Sequence, residues 1–493
     1  MTKKARCIMV QGTMSGAGKS LLCAALCRIF AQDGLRAAPF KSQNMALNSA
    51  VTADGLEMGR AQYMQAEAAG VEPDVRMNPV LLKPSSDTGS QVIVNGEIRG
   101  QMSAREYFAY KKQLIPEILA AYNSLAEEYD VIVIEGAGSP AEINLRKDDI
   151  VNMGLAELAD APVLLAGDID RGGVFAQLYG TAALLAPEEK QRIKGLIINK
   201  FRGDVRLLEP GLDQLRTLTG IPVAGVVPML KVEIDEEDSL APALSAKNGV
   251  GTVDIAVVRL PHISNFTDFA PLAGHPALSV RYVGSVAELG EPDLIILPGT
   301  KSTTADLIWL RECGLEARIL HLNEWGVPIL GVCGGYQMMG KALHDPHGCE
   351  GDTPEVRGMG LLDCKTVFTP DKTRTRKTAC CLGGLLEGAQ LAGYEIHQGR
   401  TVVNGQPFIR FENGEMDGCI SGSCAGTYLH GLFDTDSALE TLAQKLCDAK
   451  GIEPAAPAMP QKEWRQSQYD KLADGVRSAL DMKLVYDILE GRV

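Results

Sequence analysis

Ala5-Arg-Cys-Ile-Met-Val-Gln-Gly12-Thr-Met-Ser-Gly-Ala-Gly-Lys19-Ser20 is followed at once by Leu21-Leu-Cys-Ala-Ala-Leu-Cys-Arg-Ile-Phe30. Residues 5–11 are an apolar run of strand length, and 21–30 carry strong helix formers. A strand, a glycine loop ending in Lys-Ser, and a helix make up a phosphate-binding loop. Successive backbone N–H groups and the helix start surround phosphate oxygens. Lys19 neutralises the outer phosphates, and the Ser20 hydroxyl is placed to ligate Mg²⁺. The strict spacing puts glycine five positions before Gly18, where Thr13 stands; Gly12 lies one residue further out, so the loop is a variant. Gly12, Thr13, Gly16, Gly18, Lys19 and Ser20 are the candidate cofactor-binding residues.

Working outward, Val131-Ile-Val-Ile-Glu135-Gly-Ala-Gly138 reads as a buried strand with a carboxylate at its C-terminal tip, the edge where open α/β sheets hold ligands. Glu135 joins Ser20 as a candidate metal ligand. Pro162–Gly173, Gly195–Lys200 and Ile221–Pro228 supply further strands, with helical stretches between them. The strand pattern restarts after an acidic stretch, 232–251, at Asp254–Leu260 and Asp293–Ser302. In Pro328-Ile-Leu-Gly-Val-Cys333-Gly-Gly-Tyr-Gln-Met-Met-Gly340, a short apolar strand runs into a cysteine ringed by glycines and then a helix. Such an elbow projects a nucleophile towards helix-start N–H groups, which lower a thiol pKa and hold an oxyanion. Cys333 is the candidate nucleophile. All seven histidines lie in this half, and His430, beside a glycine in Gly426-Thr-Tyr-Leu-His430-Gly, is the first choice of proton partner, with His397 second. The expected fold is α/β: two doubly wound, mostly parallel-sheet domains at 1–231 and 252–440, with a helical C-terminal extension at 441–493.

A chain of 493 residues exceeds one ordinary core. Its net charge of −14 without a basic tract argues against nucleic acid and anionic membrane as partners. Twelve scattered cysteines with no Cys-x-x-Cys pair suit a reducing compartment rather than zinc or a disulfide framework. The apolar run Cys7–Val10 is too short for a signal peptide, and no run reaches bilayer length. The expectation is a cytoplasmic enzyme.

Two family resemblances cover the halves. Residues 5 to 230 resemble the dethiobiotin-synthetase-like branch of P-loop proteins, on the extended loop, the Glu135 strand and the Asn199-Lys200 strand. That resemblance implies ATP used to activate a carboxylate, with Asn199 facing the adenine. The Gly-x-Cys-Gly-Gly-x-Gln elbow, the preceding Pro298-Gly299 turn and Tyr428-Leu-His430-Gly resemble a class I glutamine amidotransferase domain. It implies L-glutamine as ammonia donor, Cys333 and His430 as catalytic residues, and an oxyanion held near Gly334 and Gly299. Most members carry Glu two residues after the histidine; Leu432 stands there, as in the cobyrinate-amidating subgroup. The third member is open, with Glu395 one candidate.

The order of the halves is that of the corrinoid amidases. Phe40-Lys-Ser-Gln-Asn-Met-Ala-Leu-Asn48, Glu57-Met-Gly-Arg-Ala-Gln62, Asn78-Pro-Val-Leu-Leu-Lys-Pro84 and Asp168-Ile-Asp-Arg-Gly-Gly-Val-Phe175 are similar to the branch that amidates four carboxylates, b, d, e and g. The Lys-Val-Gly-Pro-Asp segment of the branch that amidates side chains a and c is missing. The resemblance implies adenosylcobyrinic acid a,c-diamide as substrate, with Lys41, Arg60 and Lys83 as candidate cations for it. The alternatives are the a,c-diamide enzyme or another glutamine-dependent ligase, and a nucleotide-driven switch carrying an inactive amidase module.

Overall fold

Short apolar strands and the helices between them build two units in the computed structural model, which describes residues 4–84, 89–234, 247–248, 252–351, 353–457 and 459–493. The first unit takes Met1–Ala46, Glu57–Ile234 and Arg465–Val493; the second takes Leu47–Leu56 and Asp235–Trp464.

In the first unit the strands are β1 (Arg6–Gly12), β2 (Ala37–Phe40), β3 (Val131–Glu135), β4 (Val163–Asp168), β5 (Ile193–Phe201) and β6 (Val223–Pro228). They lie in the order β6-β5-β4-β1-β3-β2, and every neighbouring pair is parallel. β3 is buried along its whole length, as expected for a strand with helices over both faces. The chain direction across the sheet reverses at β1, and the C-terminal edge at such a point is a ligand crevice. Register brings the parts together there: Val10 pairs with Glu135, Gly12 with Ala166, and Asp168 with Asn199.

The C-terminal helices belong to this architecture. Tyr469, Leu472, Val476, Val485 and Ile488 are buried in one cluster with Ile8, Val10, Leu22, Leu26 and Ile197. Each such side chain contributes roughly 1.5–3 kcal/mol of burial. A Cβ on Gly225 would stand 2.2 Å from the Ala479 carbonyl oxygen, so only glycine admits this segment beside β6.

The second unit holds β7 (Lys247–Asn248), β8 (Val253–Val258), β9 (Leu278–Val283), β10 (Leu294–Leu297), β11 (Ile329–Val332), β12 (Cys419–Ser421) and β13 (Cys424–Thr427). The order is β7-β9-β8-β10-β11-β13-β12, parallel inside and antiparallel at both edges. A second sheet is dominated by the long hairpin of Cys364–Cys381 and Gln390–Val403, against which Leu429–His430 pairs.

The fold is therefore α/β, with two mostly parallel sheets and a helical C-terminal segment. The unit boundaries differ from those drawn on the sequence. Asp436–Lys450 buries Ala438, Leu442 and Leu446 in the second unit's core, while Arg465–Val493 joins the first unit. Leu47–Leu56 joins the second. Chain order alone cannot show such exchanges, because the apolar faces that decide them are far apart in sequence. Of the acidic stretch at 232–251, residues 235–246 and 249–251 lie outside the described residues, as do residues 85–88, which follow the Asn78–Pro84 motif.

Candidate functional site

Cys333 ends β11 with φ 52° and ψ −109°, in the left-handed half of backbone space that a side chain rarely enters. The glycines around it let the following helix, Gly334–Met339, fold back onto the sheet. A Cβ on Gly335 would lie 2.0 Å from the Leu297 oxygen, and one on Gly331 2.6 Å from Met339 Sδ. The elbow is a packing solution that leaves the sulfur at a helix start. Cys333 Sγ lies 3.8 Å from the Ile396 carbonyl oxygen and is 8 % exposed. Gly334 packs against Thr300, in the turn after β10, and Thr303, which begins the next helix, and Gly335 N–H donates to the Pro298 carbonyl.

His430, 1 % exposed, is brought to the elbow by its short strand. A Cβ on Gly299 would stand 3.1 Å from the imidazole Cε1. The imidazole stacks on Tyr394, with ring centroids 5.3 Å apart at 16°. Its Nδ1 lies 2.6 Å from Asp268 Oδ2. A carboxylate only accepts, so Nδ1 carries a proton and Nε2 is the ring nitrogen that Asp268 does not engage. Burial pushes the His430 pKa down, but the Asp268 carboxylate and negative charge on Cys333 outweigh it and lift it to about 10.

Asp268 is the residue that sequence reasoning missed. It lies in a 3₁₀ turn, Phe266–Phe269, and its other oxygen accepts from Gly431 N–H at 3.3 Å. An acid enclosed by two phenylalanines just after a buried strand was the available signal. Glu395, the candidate third member, is corrected: it pairs with Lys377 at 2.9 Å. In the ladder Tyr394, not Glu395, stands opposite His430, so the Glu395 side chain is on the other face. His397 is no charged partner either. Burial, with the His430 charge adding to it, pushes its pKa down to about 3, and its ring stacks on Tyr428 at 3.6 Å. Tyr428 hydroxyl in turn accepts from Gln337 Nε2 at 3.1 Å, so His397 buttresses the elbow helix.

In the first unit the loop glycines Gly16 and Gly18 have φ 73° and 88°, and the helix Lys19–Gln32 begins with no side-chain cap, which leaves its start suited to an anion. Gly12 is tightly enclosed: a Cβ would meet Ala17, Lys19 and Met14 at 3.1 Å. Thr13 anchors the loop, its hydroxyl donating to Gln177 Oε1 at 3.1 Å. Lys19 Nζ donates to the Met14 and Gly138 carbonyls, 3.1 Å each. Asn199 Nδ2 donates to the Ala17 carbonyl at 2.9 Å, which sets it under the loop.

Glu135 is buried in a ring of donors. Ser20 Oγ (2.8 Å) and Lys41 Nζ (2.9 Å) meet one oxygen, and Gln62 and Gln65 amides (3.1 and 2.6 Å) meet the other. Burial raises its pKa, but Lys41 and the hydrogen bonds lower it further, so it is ionised. A hydroxyl and a carboxylate side by side are hard oxygen donors and suit Mg²⁺, which takes few protein ligands and fills its shell with phosphate and water. No group of three or more His, Cys, Asp or Glu side chains among the described residues could hold a metal. Of the candidate substrate cations, Lys41 is committed to Glu135. Lys83 pairs with buried Glu57 at 2.6 Å, and Arg60 is 7 % exposed over the Tyr63 ring. Buried lysines already paired with carboxylates are poor receptors for an external anion.

Comparison with known proteins agrees with both halves. Residues 8–240 match the family described as the CobQ/CobB/MinD/ParA nucleotide binding domain, and residues 254–438 that of the CobB/CobQ-like glutamine amidotransferase domain. Along nearly the whole chain it is similar to proteins named cobyric acid synthase. That of Lachnoclostridium phytofermentans is 55% identical over 99% of both chains. That of Ruminiclostridium cellulolyticum is 54% identical over 99% of this chain and 97% of its own. That of Citrobacter koseri is 52% identical over 98% of both. No described helix is long and apolar enough to cross a membrane.

Proposed function

The chain belongs to the cobyric acid synthase family, and from that premise we propose that it amidates the b, d, e and g carboxylates of adenosylcobyrinic acid a,c-diamide, giving adenosylcobyric acid. It is a glutamine-dependent ligase with a nucleotide-binding and an amidotransferase domain. The observation that carries the reading is the elbow cysteine, with a charged His430–Asp268 pair, in the same chain as the Lys19 loop.

Cys333 sulfur attacks the glutamine carboxamide carbon. The N–H groups of Gly334 and the Gly299 turn receive the oxyanion, and His430 hands its Nε2 proton to the departing ammonia. Water then cleaves the glutamyl thioester and frees glutamate. In the other half a corrinoid carboxylate, which has no leaving group of its own, takes the outer phosphoryl group of ATP. Lys19 and the loop N–H groups stabilise the charge that builds on that group. Ammonia attacks the acyl phosphate and phosphate departs. Ser20 and Glu135 would hold Mg²⁺, which supplies charge neutralisation between the phosphates when bound. Asn199 contributes to the nucleotide site from the end of β5. The enzyme works in the cytoplasm on a small corrinoid.

Offering the purified enzyme each corrinoid precursor, with ATP and glutamine, tests the substrate. Turnover of the a,c-diamide with four amides added is expected; conversion of cobyrinic acid that stops at side chains a and c would place the chain in the other branch.

Asp268→Asn tests the third member. The raised His430 pKa means the imidazolium's stabilising contribution is complete below its ordinary value of about 6.5 and is lost as pH rises through about 10. Without the carboxylate, the alkaline limb of the glutaminase pH profile should move to lower pH, and kcat should fall ~10²–10⁴-fold. Ammonia-supported amidation should persist. An unchanged profile would remove Asp268 from the mechanism.

A further inference from the structure

Asn48 and Ser49 sit far from Cys333 and His430 in sequence, in a short segment, Leu47–Leu56, that belongs to the second unit although Ala46 and Glu57 on either side belong to the first. Both are buried, at 0 % and 1 % exposed. Asn48 Oδ1 accepts from Asn265 N–H at 2.7 Å, and Ser49 N–H donates to Asn265 Oδ1 at 3.0 Å. Asn265 has φ 53° and opens the 3₁₀ turn that carries Asp268, whose N–H donates back to the Asn265 carbonyl. Because its oxygen is held by Ser49, its amide nitrogen is turned to His430 Nδ1, 3.5 Å away.

The same segment reaches the other side of the imidazole. The Ser49 carbonyl accepts from Tyr394 hydroxyl at 3.1 Å, and Tyr394 is the ring stacked on His430. Val51, Tyr394 and Ile396 form a small apolar cluster of their own, and the Val51 carbonyl accepts from Arg376 Nε at 2.9 Å. Ile396 is the residue whose carbonyl faces Cys333 Sγ. Two consecutive residues thus hold both the edge neighbour and the face neighbour of the imidazole.

We propose that Asn48 is a positioning residue for glutamine hydrolysis, acting through Asn265 on the Asp268–His430 pair. It fixes a left-handed asparagine, a conformation that relaxes readily when its hydrogen bonds are lost. This inference rests on the glutaminase reading of Cys333 and His430. Lys41, in the same 40–48 motif, is instead a candidate cation for the acceptor substrate, and the two roles separate by experiment.

The test uses the full-length enzyme and three readouts: glutamine-dependent amidation, ammonia-dependent amidation, and the pH profile of Cys333 alkylation by iodoacetamide. Asn48→Ala should lower kcat with glutamine about tenfold, the size of one buried hydrogen bond, with little change in KM. It should displace the alkylation profile and leave the ammonia-dependent rate in place. Asn48→Asp keeps the accepting oxygen and should restore most of the loss. Tyr394→Phe, which drops only the hydroxyl bond to Ser49, should shift alkylation in the same direction and serves where the Ala variant folds poorly. Equal loss with glutamine and ammonia over an unmoved alkylation profile would overturn the proposal in favour of substrate binding, as would three unaltered readouts. Wild-type Cys333 failing to support glutamine hydrolysis at all would instead strike the underlying reading.

Discussion

Cys333→Ala is expected to abolish glutamine-dependent amidation, by ~10⁴-fold or more, while amidation supported by added ammonia continues. The sulfur is the only atom at the elbow that can form the thioester, and removing it leaves binding and an oxyanion site with nothing to attack. Alanine also suits the site better than a larger residue. Cys333 is 8 % exposed, and Gly334 and Gly335 hold the helix tightly to the sheet. The positive φ remains as strained for alanine as for cysteine, so stability should change little. Rates with glutamine and with ammonium salts, measured side by side, decide it. Loss of both would mean that the two chemistries are not separable.

Lys19→Ala should remove both activities, by ~10³-fold, because it acts on the step they share. Lys19 Nζ now rests on two carbonyls, Met14 and Gly138, at the rim of the loop. A phosphate placed among the loop N–H groups is a stronger partner for an ammonium than either carbonyl. Glutamine hydrolysis by the second unit is a separate chemical step, so glutamate release measured without the corrinoid distinguishes the two sites. ATP-dependent phosphate release that survives the substitution would sink the assignment of this loop.

The phosphate loop and the elbow were legible in sequence because each is local: strand, turn and helix follow one another, and the glycines report a backbone that must approach its neighbours. Gly335, against the Leu297 oxygen, is such a report. Asp268 was not legible because it meets His430 only through tertiary folding. Glu395 misled for a related reason. It is close to His430 across a ladder, yet alternation along the strand sends its side chain to Lys377. The charged candidates Lys41 and Lys83 looked like substrate groups in a polar stretch, and only burial shows that each already has a carboxylate. The C-terminal helices read as an appendage because their apolar face gives no hint of which core it completes.

The strap at Leu47–Leu56 bears on how such an enzyme can be taken apart. A gene cut in the acidic connection would leave the strap on the fragment that does not contain Cys333. The halves are therefore not interchangeable cassettes: a glutaminase piece expressed by itself lacks part of its own wall. Grafting a different ammonia source onto this synthetase, or lending this glutaminase to another acceptor, calls for carrying those few residues across the splice.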